Sequence, residues 1–487
     1  MRNPAELDRL LASAGEELAR LTAKRQALLD RIRQLQRERE RWGRGLSRFQ
    51  GSSTHSAVTN HSSQDEKIAL FRSLFRGRED VYALKFEHPR TGRVGYYPAR
   101  WAQRQKAQSE EPEAGRVGRE QGAFLPLTDE IIRSHLLGRD PQGKSNREFA
   151  IGIYPLLPDE TCWFLAVDFD KETWMDDVAA YLERCWAHDV SAATERSRSE
   201  DGGHVWIFFS EPIPSKLSRQ LGTTILTETM ERRPGIGLDS YDRLFPNQDT
   251  MPKGGLGNLI ALPLQKRPRK QGNTVFLDGN FIPYPDQREF LSSIRRMSPK
   301  EVEAAVNEAE RRAGILGDTM IVTEEADTEP WTAAPSRRRQ EPAITGLLPE
   351  RVTLVLSNQI YVEKAELPPP LQYRLIHLAA FQNPEFYIAQ AMRLSTFGKP
   401  RIISCYEEFP NHLGLPRGCL DETVKLLQSL DIKLEIIDER FSGTPIEVRF
   451  EGILRPGQQE AAEAMLRMIS GCSRLRRLLE RRLLPPT

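Results

Sequence analysis

The sequence predicts a multidomain α/β (α+β) chain, and three observations carry that prediction. Its 487 residues, 39% of them hydrophobic, exceed what one core holds. Short apolar runs of strand composition at 151–170 and 351–362 are interleaved with stretches of helical periodicity at 66–83, 299–313 and 371–394. Polar segments at 43–64, rich in Gly and Ser, and at 317–343, rich in charge and Pro, divide these regions as linkers do.

In chain order, residues 1–42 place Leu18, Leu21, Leu28, Ile32 and Leu35 along a heptad seam interrupted by Arg25. This predicts an amphipathic helix suited to self-association or to a partner. Residues 43–65 are a flexible linker, and 66–300 form the main globular region. Within it, 66–83 pattern as a helix closing near Gly77, and KFEHPRTGRVGYYPA as a hairpin turning at Thr91 and Gly92. IGIYPLL and TCWFLAVDFD read as core strands flanking a turn at Pro158 and Asp159. A charged helix and linker occupy 301–345. The region 346–450 is a small mixed α/β module with strands at 351–362 and 432–448. LRPGQQEAAEAML and an arginine-rich tail fill 451–487.

Composition narrows the classes. There are 69 Lys and Arg against 68 Asp and Glu, so affinity for a polyanion must come from local patches. Cys162, Cys185, Cys405, Cys419 and Cys472 are odd in number and lack C-x-x-C spacing, which predicts reduced thiols in a cytoplasmic chain. Cys405, His412 and Cys419 lie seven apart with no fourth ligand nearby, which argues against structural zinc. No apolar stretch approaches the roughly 20 residues of a membrane span. No G-x-S-x-G, H-E-x-x-H or G-x-x-x-x-G-K-[ST] motif supports serine-hydrolase, zinc-protease or P-loop chemistry.

The chemistry concentrates in three segments. In WFLAVDFD, strand periodicity sends Asp168 and Asp170 to one face and Phe169 to the other. Two carboxylates on one face repel unless a cation lies between them, and magnesium or manganese suits such oxygen donors. The competing reading has Asp168 capping a helix that starts near Thr173 and Asp170 in solvent. In GGHVWIFF, Gly202 and Gly203 allow close approach of backbone to a phosphate, and His204 opens a strand from which a ring nitrogen can reach a phosphate oxygen. A half-buried, hydrogen-bonded structural histidine is the plainer alternative. Asp239, Asp242 and Asp249 then offer a third carboxylate. GNLIALPLQ reads as a strand broken at Pro263, and KRPRK follows it with concentrated positive charge. Lys253, Lys266, Arg267, Arg269 and Lys270 are candidate contacts to template or triphosphate, or else an ordinary solvated basic surface.

Asp168-Phe169-Asp170, Gly202-Gly203-His204 and the run Tyr241 to Asp249, YDRLFPNQD, together resemble the catalytic core of the archaeo-eukaryotic primase superfamily, specifically the primase domain of TOTE conflict systems. The resemblance covers about residues 66–300 and extends to the 346–450 module. It implies a core with an RRM-like mixed sheet, paired metal ligands Asp168 and Asp170, a third ligand at Asp242 with Asp239 as rival, and His204 on the incoming nucleotide's phosphates. Many relatives carry serine where Gly202 stands, so backbone N–H groups replace a hydroxyl contact. The cofactors implied are Mg2+ or Mn2+ with nucleoside triphosphates as substrates, and the partner implied is a single-stranded template. Residues 454–466 resemble the opening of a superfamily 2 helicase, with Gln458 and Gln459 at the adenine-reading position. The motor motifs do not follow, which fits either a truncated or frameshifted gene or a split system whose helicase or nuclease is a separate subunit. The activity implied is template-directed nucleotidyl transfer. A catalytically weak nucleic-acid-binding subunit and a metal-dependent nuclease are the alternatives.

Overall fold

A computed structural model describes residues 25, 57–87, 94–100, 123–143, 148–316, 344, 348–365, 367–441, 443, 444, 447 and 451–466. The predicted N-terminal helix, apart from Arg25, lies outside them, as do most of the second linker, Cys472 and the arginine-rich tail. The chain divides into two compact units, one of Met1–Thr229, Ser240–Glu341 and Ala389–Ser395, the other of Met230–Asp239, Pro342–Ile388 and Thr396–Thr487.

The first unit opens with helix α1 (Gln64–Leu74). Ser63 starts it by accepting from the Glu66 N–H while the Glu66 carboxylate accepts from the Ser63 N–H, so two otherwise orphaned donors are satisfied. Ile68, Phe71 and Leu74 bury its apolar stripe, and the helix stops short of the predicted closure at Gly77. Strands β1 (Ala83–Glu87) and β2 (Val94–Pro98) pair antiparallel, Ala83 opposite Pro98, as the hairpin reading requires; Thr91 and Gly92 lie outside the described residues. Helix α2 (Asp129–Leu137) begins at Thr128, whose hydroxyl accepts from the Ile131 N–H. It ends at Gly138, which takes the left-handed conformation at φ 62°.

Then follow β3 (Ile151–Ile153), β4 (Thr161–Phe169), α3 (Trp174–Ala187), β5 (Ala193–Arg196), β6 (Gly203–Pro214), α4 (Ser215–Met230), β7 (Leu244–Phe245), β8 (Ile260–Ala261), α5 (Lys266–Lys270), β9 (Phe276–Leu277), α6 (Gln287–Ser293) and α7 (Pro299–Leu316). The two core strands flanking Pro158 and Asp159 part company: β3 joins the sheet β2-β1-β3-β8, and β4 joins β7-β4-β6-β5-β9. All pairings within both sheets are antiparallel. From β4 to β7 the order is β-α-β-β-α-β, with β6 seated between β4 and β5, a split β-α-β arrangement. Phe164, Trp206, Phe208 and Phe75 meet ring to ring in its core. The expected GNLIALPLQ strand shortens to Ile260–Ala261, and KRPRK is helical.

The second unit contains β10 (Arg351–Leu356), β11 (Ile360–Glu363), α8 (Pro369–Leu378), β12 (Ala380–Gln382), α9 (Pro384–Ala391), β13 (Ile402–Ser404), β14 (Glu407–Glu408), β15 (His412–Leu415), α10 (Leu420–Ser429), β16 (Lys433–Asp438) and α11 (Pro456–Leu466). Its main sheet runs β14-β15-β11-β10-β16, with β10 and β16 parallel. Strand β16 ends at Asp438, well before the predicted limit at 448. Cys405 is exposed, and the Cys419 thiol donates to the Leu378 carbonyl. No helix among the described residues is long and apolar enough to cross a membrane.

Candidate active site

Strand β4 carries the first carboxylate to the end of the central sheet. Phe164 to Val167 are buried, Asp168 is half-buried, and Asp170 stands exposed just past the strand. Asp168 lies within the strand, and helix α3 takes Thr173 as its first cap, so Asp168 is not a helix cap. The Asp168 N–H donates to the Arg243 carbonyl at 3.1 Å, which fixes the strand end against the turn that holds Asp242. The Arg243 guanidinium in turn forms an ion pair with Asp170.

His204 sits directly opposite Asp168 across the β4–β6 pair, with Nε2 3.6 Å from Asp168 Oδ1. Burial pushes the Asp168 carboxyl pKa up; the His204 and Arg243 charges pull it down, Asp170 adds to the rise, and the net shift is upward. For His204, burial opposes protonation, yet the Glu195 charge and hydrogen bond, with Asp168, outweigh it and hold the imidazole above its ordinary pKa. The site is therefore a desolvated carboxylate beside an imidazole, with a second carboxylate close by.

The remaining candidates fall in different places. Asp242 is half-buried at the end of the turn Leu238–Asp242 and belongs to the first unit with Asp168 and Asp170. Asp239 is exposed and belongs to the second unit, where its charge, after burial and Glu408, helps raise the Tyr406 hydroxyl to about 12. Asp249 is committed elsewhere: Arg219, 2% exposed, donates to it at 2.6 Å and 3.1 Å in a nearly buried ion pair. Among the described residues, no group of three or more His, Cys, Asp and Glu side chains stands close enough to hold a metal ion. Asp168 and Asp170 nonetheless fit a divalent cation chemically, because hard carboxylate oxygens with one charge partly desolvated suit a site completed by water and substrate phosphates.

Gly202 and Gly203 are both buried, and protein atoms occupy the space a side chain would need. A Cβ on Gly202 would stand 2.7 Å from the Phe169 carbonyl oxygen, and one on Gly203 would stand 2.7 Å from the Trp174 ring. Their lack of side chains therefore serves the packing of β6 against β4 and α3. Tyr241 is 1% exposed and bonds Thr227 at 2.8 Å, so it packs inside the unit.

Four of the five basic candidates, Lys266, Arg267, Arg269 and Lys270, lie on α5. Lys253 is exposed in the loop before β8. Arg269 first, then burial, Lys270, Arg139 and Arg288 hold the Lys266 pKa below its ordinary value, the mark of concentrated positive charge. A Cβ on Gly138 would stand 2.6 Å from the Lys266 Cβ, so the end of α2 packs closely against Lys266. Arg267 is exposed, and its N–H donates to Glu148 at 2.7 Å.

Sequence reasoning missed the charges that tie this helix inward. Glu148, its side chain 4% exposed, pairs with Lys85 at 3.6 Å and with Arg198 at 3.1 Å, and Arg198 also donates to Gln265, the residue that precedes α5. It also missed Glu195 and Arg243. Glu195 was recoverable: reading ERSRSEDGGH as a hairpin turning at Ser199 and Glu200 places Glu195 opposite His204.

Residues 66–305, just under half the chain, match the family model described as "TOTE conflict system, Archaeo-Eukaryotic Primase domain". Residues 454–466, likened to a helicase start, lie outside the match, and their last eleven residues form α11. No curated protein matches the chain.

Proposed function

Proceeding from residues 66–305 as an archaeo-eukaryotic primase domain of the TOTE conflict systems, we propose that this chain is a template-directed nucleotidyltransferase, a primase or primase-polymerase. The observation that carries the reading is the juxtaposition of Asp168 and His204 on neighbouring strands, with Asp170 at the end of the same strand. The split β-α-β order around β4 and β6 supports the RRM-like reading of the core.

Asp168 and Asp170 would hold Mg2+ or Mn2+, and Asp242, which the structure does not group with them, would have to close in as the third ligand. When bound, the cation stabilises charge on the attacking 3′-oxygen and on the departing pyrophosphate. His204 donates from Nε2 to a triphosphate oxygen. Arg243 pairs with Asp170, so its guanidinium would be open to a phosphate only if that pair were broken. Arg198, Lys253, Lys266 and Arg267 supply positive charge for the triphosphate and a single-stranded template.

The Arg243–Asp170 ion pair favours a second reading, a catalytically weak nucleic-acid-binding subunit that keeps the fold, because a guanidinium then serves where a metal would. Labelled-nucleotide incorporation on a single-stranded template, with magnesium and with manganese, separates the two. Activity in the wild type and its loss in Asp168→Ala with Asp170→Ala is the expected result. Equal incorporation by both proteins, or none by the wild type with either metal, overturns the polymerase reading, and shortening of the template reveals a nuclease.

A further inference from the structure

Across β4, β6 and β5 the antiparallel register sets Asp168, His204 and Glu195 in one row, with His204 directly opposite each carboxylate. The two imidazole nitrogens face the two ends of that row. Nδ1 lies 3.0 Å from Glu195 Oε2, and Nε2 lies 3.6 Å from Asp168 Oδ1. The carboxylates differ in setting: Glu195 is 2% exposed, whereas Asp168 opens to the surface with 28% of its side chain accessible.

Glu195 is itself held. The indole N–H of Trp206 donates to the same Oε2 at 2.8 Å, and Trp206 is fully buried among Phe75, Phe164 and Phe208. Trp206 follows His204 by two residues on β6, so both donors reach Oε2 from one face of one strand. An uncharged amide oxygen could accept both bonds without the cost of burying a carboxylate. A charged acceptor in that place gives the imidazole a stronger and better aligned bond.

We propose that Glu195 is a positioning residue: it grips Nδ1 and thereby aims Nε2 of His204 at the phosphates of a nucleoside triphosphate beside Asp168, while Trp206 braces the carboxylate from behind. The identity of what Nε2 meets rests on the nucleotidyltransferase reading; the grip itself rests on the register and the two bonds.

The test is a double-mutant cycle on binding of dATP by the full chain, with calcium replacing magnesium so that no turnover occurs. His204→Ala weakens binding about tenfold or more, the scale of a hydrogen bond to a charged group. Glu195→Leu weakens it by a similar factor. Glu195→Gln, which keeps an acceptor oxygen in place, loses less. Adding Glu195→Leu to His204→Ala produces no further loss, because the only route by which Glu195 acts is gone. Wild-type affinity in folded Glu195→Leu, or the same extra loss on the His204→Ala background, overturns the proposal.

A second measurement holds even where Glu195→Leu does not fold. Nitrogen-15 spectra of the metal-free wild type, with the ring assigned by its disappearance in His204→Ala, are expected to show a proton on Nδ1 at neutral pH. A bare Nδ1 overturns the proposal. Wild type that binds dATP but incorporates none removes the polymerase reading and leaves the role of Glu195 to be judged by the cycle; wild type that binds no dATP overturns both.

Discussion

The five-stranded sheets of the two units bury their surroundings in opposite ways. In the second unit, β10, β11 and β15 bury Val352, Leu354, Leu356, Ile360, Val362, Leu413 and Leu415, while Glu363, Glu407, Glu408, Glu435 and Asp438 all stand in solvent. In the first unit, the sheet centred on β4 and β6 is just as apolar along most of its length, yet at one end it buries Glu195 and half-buries Asp168 and His204. Charged groups kept from water inside a sheet cost stability, and their retention marks where the fold gives up stability for chemistry. The second sheet has the composition of a packing module; the first has that plus a charged row across one end of its three central strands.

That contrast can be broken most sharply at Asp168. Asp168→Asn should lower nucleotide incorporation at least about a hundredfold, the scale of removing one preorganised electrostatic group. Its denaturation midpoint should stay level or rise, because burial already disfavours the charge. Glu407→Gln in the second sheet should leave incorporation within about twofold, as expected of an exposed surface carboxylate. Steady-state rates and urea midpoints on the three proteins check this, and a large loss of activity in Glu407→Gln would erase the distinction between the sheets.

How much of this was legible depends on the range of the interaction. The strand that carries Asp168 was legible because strand periodicity is local: apolar residues lead into it, and β4 forms as Thr161–Phe169, ending one residue before Asp170. His204 was legible because two glycines and an apolar run announce a strand. The purpose of those glycines was not, because the Trp174 ring and the Phe169 carbonyl that crowd them arrive from other elements. Nor could spacing show that Asp249 is consumed by Arg219, thirty residues earlier, or that Lys85, Glu148 and Arg198 share one buried junction. Nor could spacing show that Asp239 falls in a different folded unit from Asp242 and Asp249.

A separate effect, on stability and not on incorporation, follows from a fully buried histidine of the first unit. His135, fully buried, donates from Nε2 to the Pro263 carbonyl and accepts at Nδ1 from the Ile151 N–H, so its neutral ring is satisfied on both sides. Burial first of all pushes its pKa down to about 4. The unfolded chain takes up this proton below about pH 6.5, while the folded chain resists until about pH 4. Stability is thus unaffected above that window and falls as pH drops through it, by about 3 kcal/mol at the lower end. Denaturant melts at pH 7 and pH 4.5 should show the loss in the wild type and a shallower one in His135→Gln; equal pH dependence in both would assign the effect to other groups.

The smallest effects belong to the basic surface, and they ask which unit meets the template. Lys266, Arg267 and Lys270 on α5 are the cleanest probes, since Arg269 also donates to the Leu136 carbonyl and its removal would disturb packing. Each residue that neutralises one phosphate of a single strand contributes about 0.7 to the dependence of log affinity on log salt. Replacing one with Gln should weaken template binding about two- to threefold near 0.1 M salt and flatten that slope by about 0.7, whatever the template sequence. Arg351 on β10, two-thirds exposed and paired with Glu435, is the matched cation on the second sheet, and Arg351→Gln should leave the slope alone. A slope that follows Arg351 and ignores α5 would put the template on the second unit and make the charged row of the first a site without a strand to copy.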